Sequence, residues 1–140
     1  MNRAGKVLLY ILLAVFGIFL ISIVYMYTRE DPELIRRRNS TMRVEVLNGC
    51  GESRLAIKVA NRLRRQSFNV VRIDNAPRSD YEVTVVIERS SEDGENAGYF
   101  AKRIGCRNIG RDVDPALHLD VSLILGQDYA TYFPGIEEEF

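Results

Sequence analysis

Residues 44–64, VEVLNGCGESRLAIKVANRLR, carry an alternating apolar run into a run with helical spacing, and two glycines lie between them. A glycine-rich turn that opens a helix is the usual sequence sign of a nucleotide site, because backbone N–H groups and the helix dipole both favour an anion there. The dinucleotide fingerprint needs a third glycine three residues after the second, and Arg54 stands at that position. The phosphate-loop pattern needs Gly-Lys followed by Ser or Thr, which is also missing. The plainer expectation is a tight turn: Asn48 and Gly49 tolerate left-handed backbone, Gly51 lets the chain reverse, and Ser53 caps the helix.

Working outward, residues 43–47 alternate with Val44 and Val46 inward and read as a short strand. Leu55, Ala56, Val59, Ala60 and Leu63 make one apolar helix face over residues 53–66. Residues 68–73 and 81–88 are rich in β-branched and aromatic side chains, flank the turn-forming DNAPRSD, and are expected to pair antiparallel. After SSEDG, Ala97, Phe100, Ala101 and Ile104 repeat the helical spacing. Residues 108–113 form a weak strand and 121–125 a strong one. The expected fold class is α/β: a small sandwich of a mixed β-sheet with two helices on one face, in the order β-α-β-β-α-β-β, preceded by one transmembrane helix.

That leading helix is residues 7–27, VLLYILLAVFGIFLISIVYMY, which carry no charge and are long enough to cross a bilayer core. A cleaved signal peptide would have a shorter apolar core followed by a small-x-small site, whereas YMYTRED follows here. Tyr25 and Tyr27 sit where interfacial aromatics anchor a span, so the segment is expected to act as a retained signal anchor. The organisation is thus a short tail (1–6), the span (7–27), a charged linker (28–41), the α/β domain (42–133) and an acidic tail (134–140) expected to be disordered.

Local charge counting opposes export of the domain, since Arg29 and Arg36 to Arg38 follow the span while Arg3 and Lys6 precede it. Long C-terminal domains translocate largely regardless of charge, so the domain is expected on the periplasmic or extracellular side of a bacterial cytoplasmic (inner) membrane. The alternative is a membrane-tethered adaptor facing the cytoplasm. IRRRNS is read as solvated linker, with anionic headgroups as its other use. Beyond the span, 17 basic residues stand against 19 acidic ones, a net charge of −2, which argues against nucleic acid as a partner.

The segments VEVLNGCGESRLAIKVANRLRRQSFNVVRIDNA and SDYEVTVVI resemble the C-terminal domain of the LytR/CpsA/Psr group of cell-envelope proteins. The fit runs through Leu47, Asn48, Gly49, Gly51, Leu55, Ala56, Phe68, Val70, Tyr81, Thr84, Asp120, Leu125, Gly126 and Asp128 and covers residues 42–133. Ser67 departs from it, because that family more often has glycine before the phenylalanine. The resemblance implies an envelope protein without the separate phosphotransferase domain of that group, whose catalytic activity therefore does not carry over.

The remaining candidates are few. His118 is the sole histidine, lies between Leu117 and Leu119, and is the base that a small hydrolase or transferase would need. Asp112, Asp114 and Asp120 can offer oxygens to a hard cation, although DVDP reads equally well as a turn and lacks the glycine-centred calcium loop. Neither a metal nor another cofactor is expected. Cys50 and Cys106 are either a disulfide or two buried thiols. LNGC is rejected as a lipidation box, since it ends a strand some distance beyond the apolar segment. Arg54, Lys58, Arg62 and Arg65 recur along the polar face of the first helix and are the candidate ligand-binding residues, for a cell-wall polymer or an acidic envelope protein. The function expected is a membrane-anchored, non-catalytic binding or scaffolding module of the cell envelope.

Overall fold

The computed structural model describes residues 2–139, which divide into two compact units at residue 34. In the first, helix α1 (Arg3–Thr28) runs for 26 residues, and none of them is buried. At 1.5 Å per residue it is about 39 Å long, enough to cross a hydrocarbon core of roughly 30 Å. Its apolar side chains therefore have no protein core to enter, as a membrane helix requires.

The second unit contains the sheet. Helix α2 (Pro32–Thr41) leads into β1 (Arg43–Asn48), α3 (Leu55–Arg65), β2 (Asn69–Asn75), β3 (Val85–Glu88), α4 (Glu95–Ile104), β4 (Ile109–Arg111), β5 (Val121–Leu125) and α5 (Tyr129–Tyr132). Short 3-10 turns occupy Pro115–Leu117 and Ile136–Glu138. The segment expected as charged linker is thus largely helical, and its second half belongs to the folded unit. Asn39 is buried there, donating to the carbonyl of Gln66 (2.8 Å) and accepting from the Tyr99 hydroxyl (2.8 Å).

The five strands lie in the order β2-β1-β5-β3-β4. β1 is parallel to both β2 and β5, β3 is antiparallel to β5, and β4 is parallel to β3. The expected antiparallel pairing of 68–73 with 81–88 does not occur. A helix between two strands returns the chain for parallel pairing, so α3 lays β2 beside β1 at the sheet edge, and α4 does the same for β4 beside β3. Residues 81–84 are not strand: Tyr81 donates to the Gly49 carbonyl (2.9 Å) and accepts from the Gln127 amide (2.9 Å), tying the ends of β1 and β5 together.

Both helices cover one face. Val44, Val46, Val70, Val86, Val121, Leu123 and Leu125 from the strands meet the apolar faces of α3 and α4 in a single core. Phe68 and Phe100 close its centre edge to face, with centroids 5.0 Å apart. The helices also end alike. The amides of Ser67 and Phe68 return to the carbonyls of Arg64 (2.9 Å) and Leu63 (3.0 Å), and those of Gly105 and Cys106 to Lys102 (3.4 Å) and Ala101 (2.9 Å). This closure needs a left-handed residue after the helix, supplied by Gly105 at φ 75° and by Ser67 at φ 69°. Glycine at position 67 would meet that geometry without strain.

The opposite face carries a polar row. Glu45 is buried, accepts from the Ser122 hydroxyl (2.6 Å) and pairs with Arg72 (3.1 Å), while Arg89 donates to Ser122 (2.9 Å).

Candidate functional site

The glycine turn interlocks with the end of β5 and the segment at Tyr81. Asn48 organises it, its amide donating to the Glu52 carbonyl (2.7 Å) while its oxygen accepts from the Cys50 amide (3.3 Å). The Gly49 amide is spent on Leu125 O (2.9 Å) and the Leu55 amide on Glu52 O (3.4 Å), so these donors are already engaged. Gly49 is required by crowding instead of by left-handed backbone: a Cβ there would stand 2.7 Å from Leu125 O and 2.8 Å from the Tyr81 ring. Left-handed backbone falls on Gly51 (φ 76°) and Arg54 (φ 60°), not on Asn48. The expected cap moves with it, since α3 begins at Leu55 behind Arg54 with no side-chain cap from Ser53.

A second glycine completes the lock. A Cβ on Gly126 would lie 2.3 Å from the backbone carbon of Val83 and 2.7 Å from Thr84 N, so the two chains touch there. Gly126 N donates to the Thr84 hydroxyl (3.1 Å), and Asp128 accepts from both Thr84 N (2.6 Å) and its hydroxyl (2.7 Å). Six of the residues that carry the family resemblance, Asn48, Gly49, Tyr81, Thr84, Gly126 and Asp128, thus meet at one end of the sheet, and each has a structural task. Thr84 and Asp128 were not recognisable from sequence as partners, because they stand 44 positions apart.

The basic stripe of α3 divides. Lys58 donates to the Glu137 carbonyl (2.6 Å), Arg62 to the Pro134 carbonyl (2.9 Å), and Arg62 and Arg65 take the two oxygens of Glu139. Arg54 lies apart, lining a shallow cleft of about 310 Å³ with Asn48, Asp74 and Asn75. The tail expected to be disordered is therefore seated through Glu139: Ile136 is 1 % exposed and belongs to the core. Hydrogen bonds from Arg62 and then Arg65 hold the Glu139 carboxyl below its ordinary range. The Tyr129 hydroxyl donates to Glu137, and this bond raises its pKa to about 12. Chemically, α3 presents a cradle that orients one carboxylate and two peptide carbonyls.

His118 adopts left-handed backbone (φ 53°) after the 3-10 turn and lines a groove of about 450 Å³ with Arg43, Arg72 and Leu117. The three aspartates are dispersed. Asp112 pairs with Arg89, Asp114 caps the turn at Ala116 N (3.0 Å), and Asp120 receives the Arg43 amide (2.8 Å), Nε (3.1 Å) and Nη2 (2.9 Å). Burial pushes the Asp120 carboxyl up, but these bonds and the Arg43 charge outweigh it and hold the group below 3.8. Among the described residues no three His, Cys, Asp or Glu side chains gather as a metal set.

Cys50 and Cys106 are free thiols rather than a disulfide. Cys50 turns to the Asn48 side chain (3.6 Å), whereas Cys106 is buried against the carbonyls of Thr84 (3.6 Å) and Asn108 (3.7 Å). Desolvation pushes the Cys106 thiol up, away from the reactive thiolate.

Sequence reasoning missed Glu88. It is fully buried, and its carboxylate accepts from Ala97 N (2.7 Å), Ser91 N (3.2 Å) and Ser90 Oγ (3.1 Å). It closes the start of α4 from the neighbouring strand. An acid at a strand end, followed by two serines and a helix start, was the available signal.

The family model described as LytR cell envelope-related transcriptional attenuator matches residues 41–129. No curated protein and no solved structure matches the chain.

Proposed function

The chain belongs to the LytR cell envelope-related transcriptional attenuator family, and from that premise we propose that it is a membrane-anchored, non-catalytic binding or scaffolding module in envelope assembly or maintenance. The family makes the domain cell-envelope-related, and the apolar helix α1 fits a single-pass anchor. The observation that carries the binding role is the α3 cradle, where Arg62 and Arg65 already hold a carboxylate and Lys58 a carbonyl. An anionic component of the envelope, such as a peptidoglycan-linked glycopolymer or an acidic protein segment, offers negative charge to the same cations. The domain then lies outside the cytoplasm, where such components are.

The full chain in detergent is titrated with purified wall glycopolymer at low and high salt. Association that weakens with salt, is lost in Arg62→Glu/Arg65→Glu and strengthens in Glu139→Gln is expected, because the last change releases both arginines. No association at low salt refutes the polymer version. Side is tested separately: a cysteine at exposed Glu82 should react with an impermeant thiol reagent in intact cells, and protection until lysis would place the domain in the cytoplasm.

A further inference from the structure

The C-terminal segment occupies the α3 cradle in a way that specifies a ligand more narrowly than charge does. Ile136 enters the core, and three residues later Glu139 meets Arg62 and Arg65. On either side of Ile136 the α3 side chains read backbone, Arg62 taking Pro134 O before it and Lys58 taking Glu137 O after it. An apolar socket, two side chains that donate to peptide carbonyls and a two-arginine fork at fixed spacing are the elements of short-peptide recognition. A glycan polyanion has neither the apolar side chain nor the peptide carbonyls.

The occupant can also leave. It follows the last strand and α5, so its departure moves no strand of the sheet, and Gly135 (φ 70°) near its root gives the backbone the freedom of a residue without a side chain. We propose that the α3 face is a binding site for an acidic peptide segment of an envelope protein, with an apolar residue three positions before a carboxylate, and that residues 134–139 are its built-in competitor. The inference rests on the binding role given above and names the partner class for the same site.

Occupancy sets the expected numbers. Seating of Ile136 is the main contribution opposing release, and full burial of such a side chain leaves the released state populated at roughly 1–10 %. A ligand that needs the released state binds the intact chain more weakly by that fraction, about 10- to 100-fold.

The test uses the full chain in detergent and a fluorescein-labelled synthetic peptide PGIEEE, followed by anisotropy. The variant Ile136→Ser/Glu139→Gln, whose own tail no longer seats, should bind the peptide 10- to 100-fold more tightly than the unaltered chain. Adding Arg62→Glu/Arg65→Glu to it should abolish binding. Circular dichroism of each variant establishes that the domain is folded. Should the release variant unfold, competition is read in the unaltered chain, where excess unlabelled PGIEEE should displace the label and PGSEEE should not. Equal affinity for the unaltered and release chains overturns the competitor role. Equal binding of PGSEEE or of polyglutamate overturns peptide recognition, while leaving an anionic polymer as ligand of the same cations.

Discussion

Replacing Glu88 by alanine should be among the most damaging single changes in the domain, and its cost can be worked from contacts. Ala97 N is buried and has Glu88 as its acceptor at 2.7 Å, so removing the carboxylate leaves a donor unpaired at about 1–3 kcal/mol. The negative group also faces the start of α4, where loss of the dipole interaction adds roughly 0.3–2 kcal/mol. Ser90 and Ser91 are less enclosed and recover part of their bonding from water. With the void left by the side chain, the total is about 3–5 kcal/mol, a large share of the roughly 5–15 kcal/mol that holds a domain folded. Glu88→Gln keeps the volume and one acceptor but turns an amide N–H₂ toward other donors, and should cost about 1–2 kcal/mol. Urea unfolding of the detergent-solubilised chain, followed by circular dichroism, checks the ranking alanine, glutamine, wild type. An alanine variant within 1 kcal/mol of wild type, or a glutamine variant no milder than alanine, would refute the assignment of Glu88 as the cap of α4.

Ser67→Gly should stabilise the domain by about 0.5–1 kcal/mol in the same assay, because the left-handed position after α3 strains a side chain that Gly105 spares after α4. Gly126→Ala should destabilise by about 3 kcal/mol or more, since its Cβ would meet the backbone of Val83 rather than a side chain able to move. Asp120→Asn should be harmful at neutral pH and increasingly neutral in acid. The folded carboxyl lies below its unfolded value of 3.8, so its contribution is complete above about pH 5 and is lost as pH falls through the folded pKa. Melts of the two chains between pH 7 and pH 2 should converge, and a constant gap would remove Arg43–Asp120 as the cause.

Residues 7–27 were legible as a candidate span, because a run of uncharged apolar side chains as long as the bilayer core is thick needs no partner to be recognised. The two amphipathic helices and the hydrophobic strands were legible in outline, residues 81–84 excepted, since periodicities of 3.6 and 2 are local properties of the chain. The turn at Asn48 to Gly51 could be placed, yet the reason for Gly49 could not. Its need comes from Leu125 and Tyr81, which crowd it only after β1 and β5 have paired.

Strand pairing was beyond local signals for the same reason. Nothing within 68–88 reveals that β2 and β3 take opposite sides of the β1–β5 pair, because that depends on how α3 and α4 return the chain to the sheet. The candidate site shows the division most clearly. The spacing of Lys58, Arg62 and Arg65 was visible in sequence as a cationic helix face. That their neighbour is Glu139, 74 to 77 residues further along the chain from the two arginines, was settled by Ile136 finding a place in the core. A charge pattern states what a surface can attract, whereas only packing brings the attracting groups and their occupant together.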